Sequence, residues 1–186
     1  MQLSKFDYYS DYVAYPILIA GLGGAALVTS GRQEVLEWCA ALVAGFTFWT
    51  FAEYWIHRVV LHWMPYFSPM HGEHHAAPLA LIGTPTWISM LTLGGVILAP
   101  AWLLWGFAVG SGLFIGVSIG YIWYGTVHHA IHHDGRAFGH DLLHDARIRH
   151  LKHHYRPQEG NFGVTTGLWD HVFGTALTAG RPPGRH

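Results

Sequence analysis

A single cysteine, Cys39, stands in a chain of 186 residues, which excludes an intramolecular disulfide and any metal site built on several thiolates. Charge is scarce as well: Asp, Glu, Lys and Arg make up 11% of the residues, against roughly a quarter in an ordinary soluble domain. The net charge of −1 leaves no basic surface of the kind that binds nucleic acid. No internal repeat or low-complexity tract is present. A cleavable leader is not expected, because Asp7 and Asp11 stand where its basic region would be.

What fills the space left by charge is apolar. No Asp, Glu, Lys or Arg occurs from Tyr12 to Gly31, and a run of about 20 such residues crosses a bilayer as a helix. A first span is therefore expected at 12–30 and a second at 36–60, the latter carrying Glu53, His57 and Arg58 near its end. The stretch from Ala76 to His133 is uncharged throughout, longer than one crossing needs. With Pro100 and "GSG" at 110–112 available for a bend, it is expected to form two spans, 85–105 and 112–133.

The sequence thus predicts an all-α integral membrane protein: one domain over 1–186, four transmembrane helices, and a cap over 134–178. Arg32 alone lies in the link between spans one and two, whereas Lys5, Arg58, Arg136, Arg147, Arg149, Lys152, Arg156, Arg181 and Arg185 fall on the other side. By the bias of basic residues toward the cytoplasm, both termini and the cap are expected there. "RPPGR" at 181–185 reads as a frayed tail.

Histidine is the excess residue, with 16 copies. Most fall in four clusters: "HRVVLH" (57–62), "HGEHH" (71–75), "HHAIHH" (128–133) and "HLKHH" (150–154). Residues three or four apart share one face of a helix, so His71 with His74 and His75, His128 with His132, and His150 with His153 and His154 can each aim rings to one side. Imidazoles at a membrane edge are costly without a partner, which favours metal binding for the clusters. His140, His144, His171 and His186 read instead as interfacial or surface side chains. One metal takes about four to six ligands, and the clusters offer at least ten, so two metals sharing them is the economical reading. Neutral imidazole suits zinc, copper, iron and nickel alike. Glu53, Glu73 and Asp170 could orient ligand rings through their second nitrogens.

These four motifs, followed by "NFGVTTGLWDHVFGT" (161–175), resemble the fatty acid hydroxylase and sterol desaturase superfamily, a group of membrane dimetal oxygenases, from about Glu53 to Thr175. "EYWIHRVVLH" and "HGEHHAAP" are most similar to the fatty acid 2-hydroxylases. The resemblance implies metal ligands at His57, His62, His71, His74, His75, His128, His132, His150, His153 and His154, with His129 and His133 ranked second. Two departures stand out. Gly125 occupies a position where fungal and animal members usually carry aspartate, and the cytochrome b5 domain often fused to them is not seen, so a separate electron donor of cytochrome b5, ferredoxin or reductase type is expected.

The resemblance further implies two iron ions, with zinc as a possible substitute on purification, and dioxygen as co-substrate. Two externally supplied electrons would support hydroxylation of an unactivated C–H bond in a lipid acyl chain. A sterol or carotenoid hydroxylase or desaturase of the same superfamily is the first alternative. A non-catalytic metal-binding or metal-transport membrane protein is the second, although a transporter should hold its ionisable groups near mid-span. Trp87, Trp102, Trp105, Trp123 and Tyr124 read as packing or interface aromatics. "NFGVTTGLWDHVFGT" is expected to fold the cap back onto the site, with turns at Gly163 and Gly174.

Overall fold

The computed structural model describes residues 2–133, 143–156 and 158–177. Arg136, His140, Arg181, Arg185 and His186, together with most of the stretch joining the last span to the cap, lie outside these residues. Among the described residues the fold is helical, apart from one bridge pair, Gln2 with Ile82. The helices are α1 (Lys5–Tyr9), α2 (Asp11–Thr29), α3 (Arg32–Trp55), α4 (Ser68–Ala76), α5 (Thr86–Leu93), α6 (Ala99–His133), α7 (His144–Tyr155) and α8 (Leu168–Val172). The Ser4 hydroxyl accepts from the Asp7 N–H and starts α1, and the Glu34 carboxylate accepts from the Gly31 N–H at the start of α3.

Three stretches are long and apolar enough to cross a membrane: Lys5–Thr29, Arg32–Leu61 and Thr86–His133. Their outer surfaces leave large apolar side chains uncovered, including Val28 and Leu103, both 86% exposed. An aqueous protein rarely shows so much contiguous apolar surface. The third stretch is not one rod. At Gly106 the backbone takes φ 85° and ψ 171°, a conformation closed to residues with a Cβ. Beyond it the chain returns along itself, so that a Cβ on Gly110 would come within 2.6 Å of the Trp102 backbone nitrogen. The bend therefore sits at Gly106 and not at 110–112, whose Gly110, Ser111 and Gly112 are buried inside α6.

Those small residues serve packing. Gly112, Gly116 and Gly120 recur every fourth residue on one face of α6 and lie against α3. A side chain at Gly112 would approach the Trp38 carbonyl to 2.6 Å, one at Gly116 would strike the Leu42 carbonyl, and one at Gly120 would enter the Trp49 ring. Gly45 of α3 is equally closed by the Leu113 carbonyl. Lipid supplies no hydrophobic drive between helices, so close backbone approach through small residues is what holds such a pair together. A polar junction ties α2 to α5 and α6: Tyr121 donates to Asp11 at 2.5 Å, and Tyr15 donates to Ser89 at 3.1 Å.

At the far end of α3 the helix widens into a π-helical turn, Ile56–Leu61. Bonding from residue i to i+5 sets residues five apart one above the other, as an α-helix does for residues four apart. His57 and His62 are five apart, and this turn brings their ring centroids to 5.4 Å. Helix α7 joins the same end through an apolar cluster of Val127, Ile131, Ala146 and Val164.

Candidate metal centre

Ten histidines converge at this end and divide into two groups of five. The first holds His57, His62, His71, His75 and His153; the second holds His74, His128, His132, His150 and His154. Within each group one nitrogen from every ring lies within 4.8 Å of the others. Neighbours in sequence go to opposite groups: His74 and His75 part, as do His153 and His154. Adjacent residues on a helix point about 100° apart, so a histidine pair on α4 or α7 serves two volumes at once.

The donor set of the first group asks for a cation. The His57 Nδ1–H donates to the Phe162 carbonyl at 2.6 Å, and the His153 Nδ1–H donates to the Gly160 carbonyl at 2.9 Å. In neutral rings this leaves both Nε2 atoms as bare lone pairs. His71 Nε2 lies 3.0 Å from that of His57 and 3.0 Å from that of His75, which in turn lies 3.1 Å from that of His153. Protons cannot satisfy all three contacts. If His71 donates to His57 and His75 to His153, two N–H groups meet between His71 and His75; any other assignment sets two lone pairs together. A metal ion accepting every lone pair removes the conflict. In the second group, His74 Nε2 is buried with no hydrogen-bond partner among the described residues, and His132 and His154 bring Nε2 atoms to 2.9 and 3.1 Å from that of His150.

Burial keeps the rings outside the spans in the neutral form that ligates. It holds His74 down at about 3 and His75 at about 4, each helped by the neighbouring rings, and His153 at about 3. His71, His150 and His154 are pushed well down for the same reasons.

The acids are placed one step further out than direct contact with the rings. Glu53, buried on α3, accepts from the Val164 and Thr165 N–H groups at 2.6 and 2.7 Å and from the Thr165 hydroxyl at 2.6 Å. Asp170 accepts from the Phe162 and Gly163 N–H groups, both at 2.8 Å, and from the Thr175 hydroxyl at 2.7 Å. The two carboxylates thereby clamp residues 162–165, and the carbonyls of Phe162 and of nearby Gly160 meet His57 and His153. Between those carbonyls Asn161 has φ 55°, a left-handed conformation that asparagine tolerates. Its side chain donates to the Arg149 carbonyl and accepts from the Leu177 N–H. Gly174 turns with φ 69°, as expected, whereas Gly163 is required for space: a Cβ there would strike the Thr166 carbonyl.

Glu73 is exposed on α4. His129 and His133 stand outside both groups, stacked on each other with centroids 4.4 Å apart. The Nδ1 of His129 is hydrogen-bonded to the Tyr8 hydroxyl at 3.1 Å. His171 is exposed, and Gly125 faces the Tyr12 hydroxyl where a carboxylate would otherwise stand. Sequence reasoning missed the carbonyls of Gly160 and Phe162, and it missed Tyr8. The first left no signal in the sequence, since every residue carries a carbonyl.

The class is therefore that of a helical protein with membrane-type segments and a twinned polyhistidine site at one end. The chain belongs to the fatty acid hydroxylase family, whose profile matches residues 42–175. It is 33% identical to the fatty acid 2-hydroxylase of Mus musculus over 73% of this chain and 39% of that protein. It is 32% identical to the ceramide very long chain fatty acid hydroxylase SCS7 of Saccharomyces cerevisiae, over 97% of this chain and 48% of that protein. Among solved structures it resembles full-length scs7p, in which only the hydroxylase domain is visible, with TM-score 0.78 and 26% identity over 96% of this chain and 69% of that one. The chain thus spans two fifths to a half of these two curated relatives.

Proposed function

We propose that this chain is a lipid hydroxylase that inserts one oxygen atom of dioxygen into a C–H bond of an acyl chain, the second oxygen leaving as water with two electrons and two protons supplied from outside. The observation that carries this reading is the pair of five-histidine groups. Support for an acyl substrate comes from the relatives, which are named as a fatty acid 2-hydroxylase in mouse and a ceramide very long chain fatty acid hydroxylase in yeast. His57, His62, His71, His75 and His153 would hold one iron ion, and His74, His128, His132, His150 and His154 the other. When bound, the two irons supply the oxygen activation and the one-electron steps that side chains cannot.

The chain's own part is positioning. The carbonyls of Phe162 and Gly160 fix the tautomer and direction of His57 and His153, and Glu53 and Asp170 hold those carbonyls in place. The rings on α4 and α7 stay neutral through burial, so no proton competes with a metal there near neutral pH. The reversal at Gly106 supports four crossings, about 12–30, 36–60, 86–105 and 107–133. The basic residues support a cytoplasmic side for both termini, the α7 cap and the metal site. From that side a separate cytochrome b5, ferredoxin or reductase would deliver electrons, while the acyl chain enters from the bilayer.

The test is mass spectrometry of lipids from cells grown under labelled dioxygen, comparing the chain with its His74→Ala/His75→Ala variant, which removes one ring from each group. A labelled hydroxyl on an acyl chain, present only with the intact histidines, is expected. Oxygenated sterol or carotenoid with an unchanged acyl pool would overturn the substrate, and no oxygenated product anywhere would overturn the activity.

A further inference from the structure

Tyr8, His129 and His133 share a cleft with the second histidine group. This cleft is lined by His74, His128 and His132 on one side and by Tyr8, His129, His133, Pro78, Ala80 and Ile82 on the others. Leu79, between two of the lining residues, is 67% exposed, so the wall beside the cleft is apolar and open. The interior of the cleft takes about one water-sized group, such as a carbonyl oxygen, with the rest of a lipid left outside.

Its chemistry is uneven. One part is metal-facing imidazole; the other presents a phenol hydroxyl held at 3.1 Å by the His129 ring. Resting on the acyl-hydroxylase reading above, we propose that Tyr8, held in place by His129, is the positioning residue that donates a hydrogen bond to the acyl carbonyl of the substrate and so presents carbon 2 to the second histidine group. Carbon 2 is bonded directly to the carbonyl carbon. A donor that fixes the carbonyl therefore fixes the attacked carbon only if it stands beside the metal-binding rings, and Tyr8 is the hydroxyl-bearing side chain among the residues lining this cleft. A polar end held at a fixed place is a direct handle for choosing one position along a methylene chain.

With its proton on Nδ1, His129 donates to the Tyr8 oxygen and leaves the phenol O–H free for the carbonyl. It follows His128 on α6 and stacks on His133 with the rings 14° from parallel, so it belongs to the same rigid helix as the ligands. Tyr8 comes from the other wall, on α1, which the backbone bond from Leu3 N–H to the Leu81 carbonyl at 2.7 Å ties to the strip carrying Ala80 and Ile82. The Tyr8–His129 pair thus joins the start of the chain to α6.

The experiment uses the full chain with its metal in lipid nanodiscs. Two probes that cannot be hydroxylated at carbon 2, 2,2-difluoropalmitic acid and the ceramide made from it, are titrated without dioxygen into wild type and Tyr8→Phe. Product position is mapped with the unfluorinated lipids under dioxygen. In Tyr8→Phe the better-bound probe is expected to bind about fivefold to tenfold more weakly, the cost of one lost hydrogen bond. Metal content is expected to stay unchanged and the product to spread from carbon 2 to its neighbours, which a merely structural residue would not cause. Whichever probe wild type binds more tightly identifies the carrier of the carbonyl. Ala80→Leu, which narrows the cleft from its apolar wall, is expected to weaken the same probe and covers the case in which Tyr8→Phe does not assemble. Undiminished probe affinity and strict carbon-2 product in Tyr8→Phe would overturn this inference and leave the hydroxylase reading standing. A metal-loaded wild type that hydroxylates no acyl chain would overturn the hydroxylase reading itself.

Discussion

His75 and His154 stack face to face, with centroids 4.1 Å apart and planes 12° from parallel, although they belong to different five-histidine groups. The two groups therefore share a wall. A ring removed from that wall disturbs both sides, whereas a ring on an outer wall, such as His62, disturbs one.

Metal content should report this directly. His62→Ala is expected to lower bound metal by about one equivalent per chain, and His75→Ala by more than one, measured by elemental analysis of protein in detergent. Turnover should fall at least about 100-fold in both, since loss even of a group supporting a ligand costs about 10- to 100-fold. Equal metal loss in the two variants would show that the groups fill independently.

Glu53→Gln tests the clamp on the carbonyl segment. Glutamine keeps the length but sets an N–H₂ donor among three donors, Val164 N–H, Thr165 N–H and the Thr165 hydroxyl. An unsatisfied buried donor costs about 1–3 kcal/mol. Metal affinity should fall by roughly 10- to 100-fold, because the segment carrying the Phe162 carbonyl loosens its hold on His57. Chelator competition against the purified protein measures it.

The helix pair α3 and α6 should be intolerant of bulk. Gly116→Val places a branched side chain against the Leu42 carbonyl, and overpacking of this kind costs about 1–3 kcal/mol or more. A lower midpoint of thermal unfolding in detergent is expected. Gly21→Val, where a Cβ meets nothing within 4 Å, should shift it far less.

Acid should destabilise the metal-free protein. The pKa of His75 is lowered to about 4 and those of His74 and His153 to about 3, so the unfolded chain takes up protons first as pH falls. Stability is then complete above about 6.5, the ordinary histidine value, and is lost as pH drops from there through 4 and 3. Thermal unfolding of chelator-treated protein at pH 8, 6 and 5 should show midpoints falling in that order, and a flat response would mean that the rings are solvated.

Much of this was legible in the sequence, and the parts that were not have physical reasons. Uncharged runs announce membrane-type helices because length and apolarity alone decide them. Histidines at spacings of three and four announce a shared face, and the structure brings those on α4, α6 and α7 to one end. His57 and His62 obey a spacing that only a π-helical turn explains. The sequence offers Pro100 and residues 110–112 for the bend, but the glycines there satisfy two needs that look alike in sequence, turning and close approach, and the structure uses them for the second. Glu53 and Asp170 were expected near the rings; pattern could not reveal that backbone carbonyls stand between, since any residue has a carbonyl.

The wide turn at Ile56–Leu61 also separates two mechanical requirements that one straight helix would bind together. The glycine-lined seam with α6 dictates the rotational phase of α3, because only one azimuth lets the backbones touch. Without a phase shifter, every ring further along α3 would inherit that azimuth, and His62 would leave the face that His57 occupies. One surplus residue absorbed in the turn resets the angle after the seam. Helix packing in the lipid and ring placement at its edge can then drift independently over evolution.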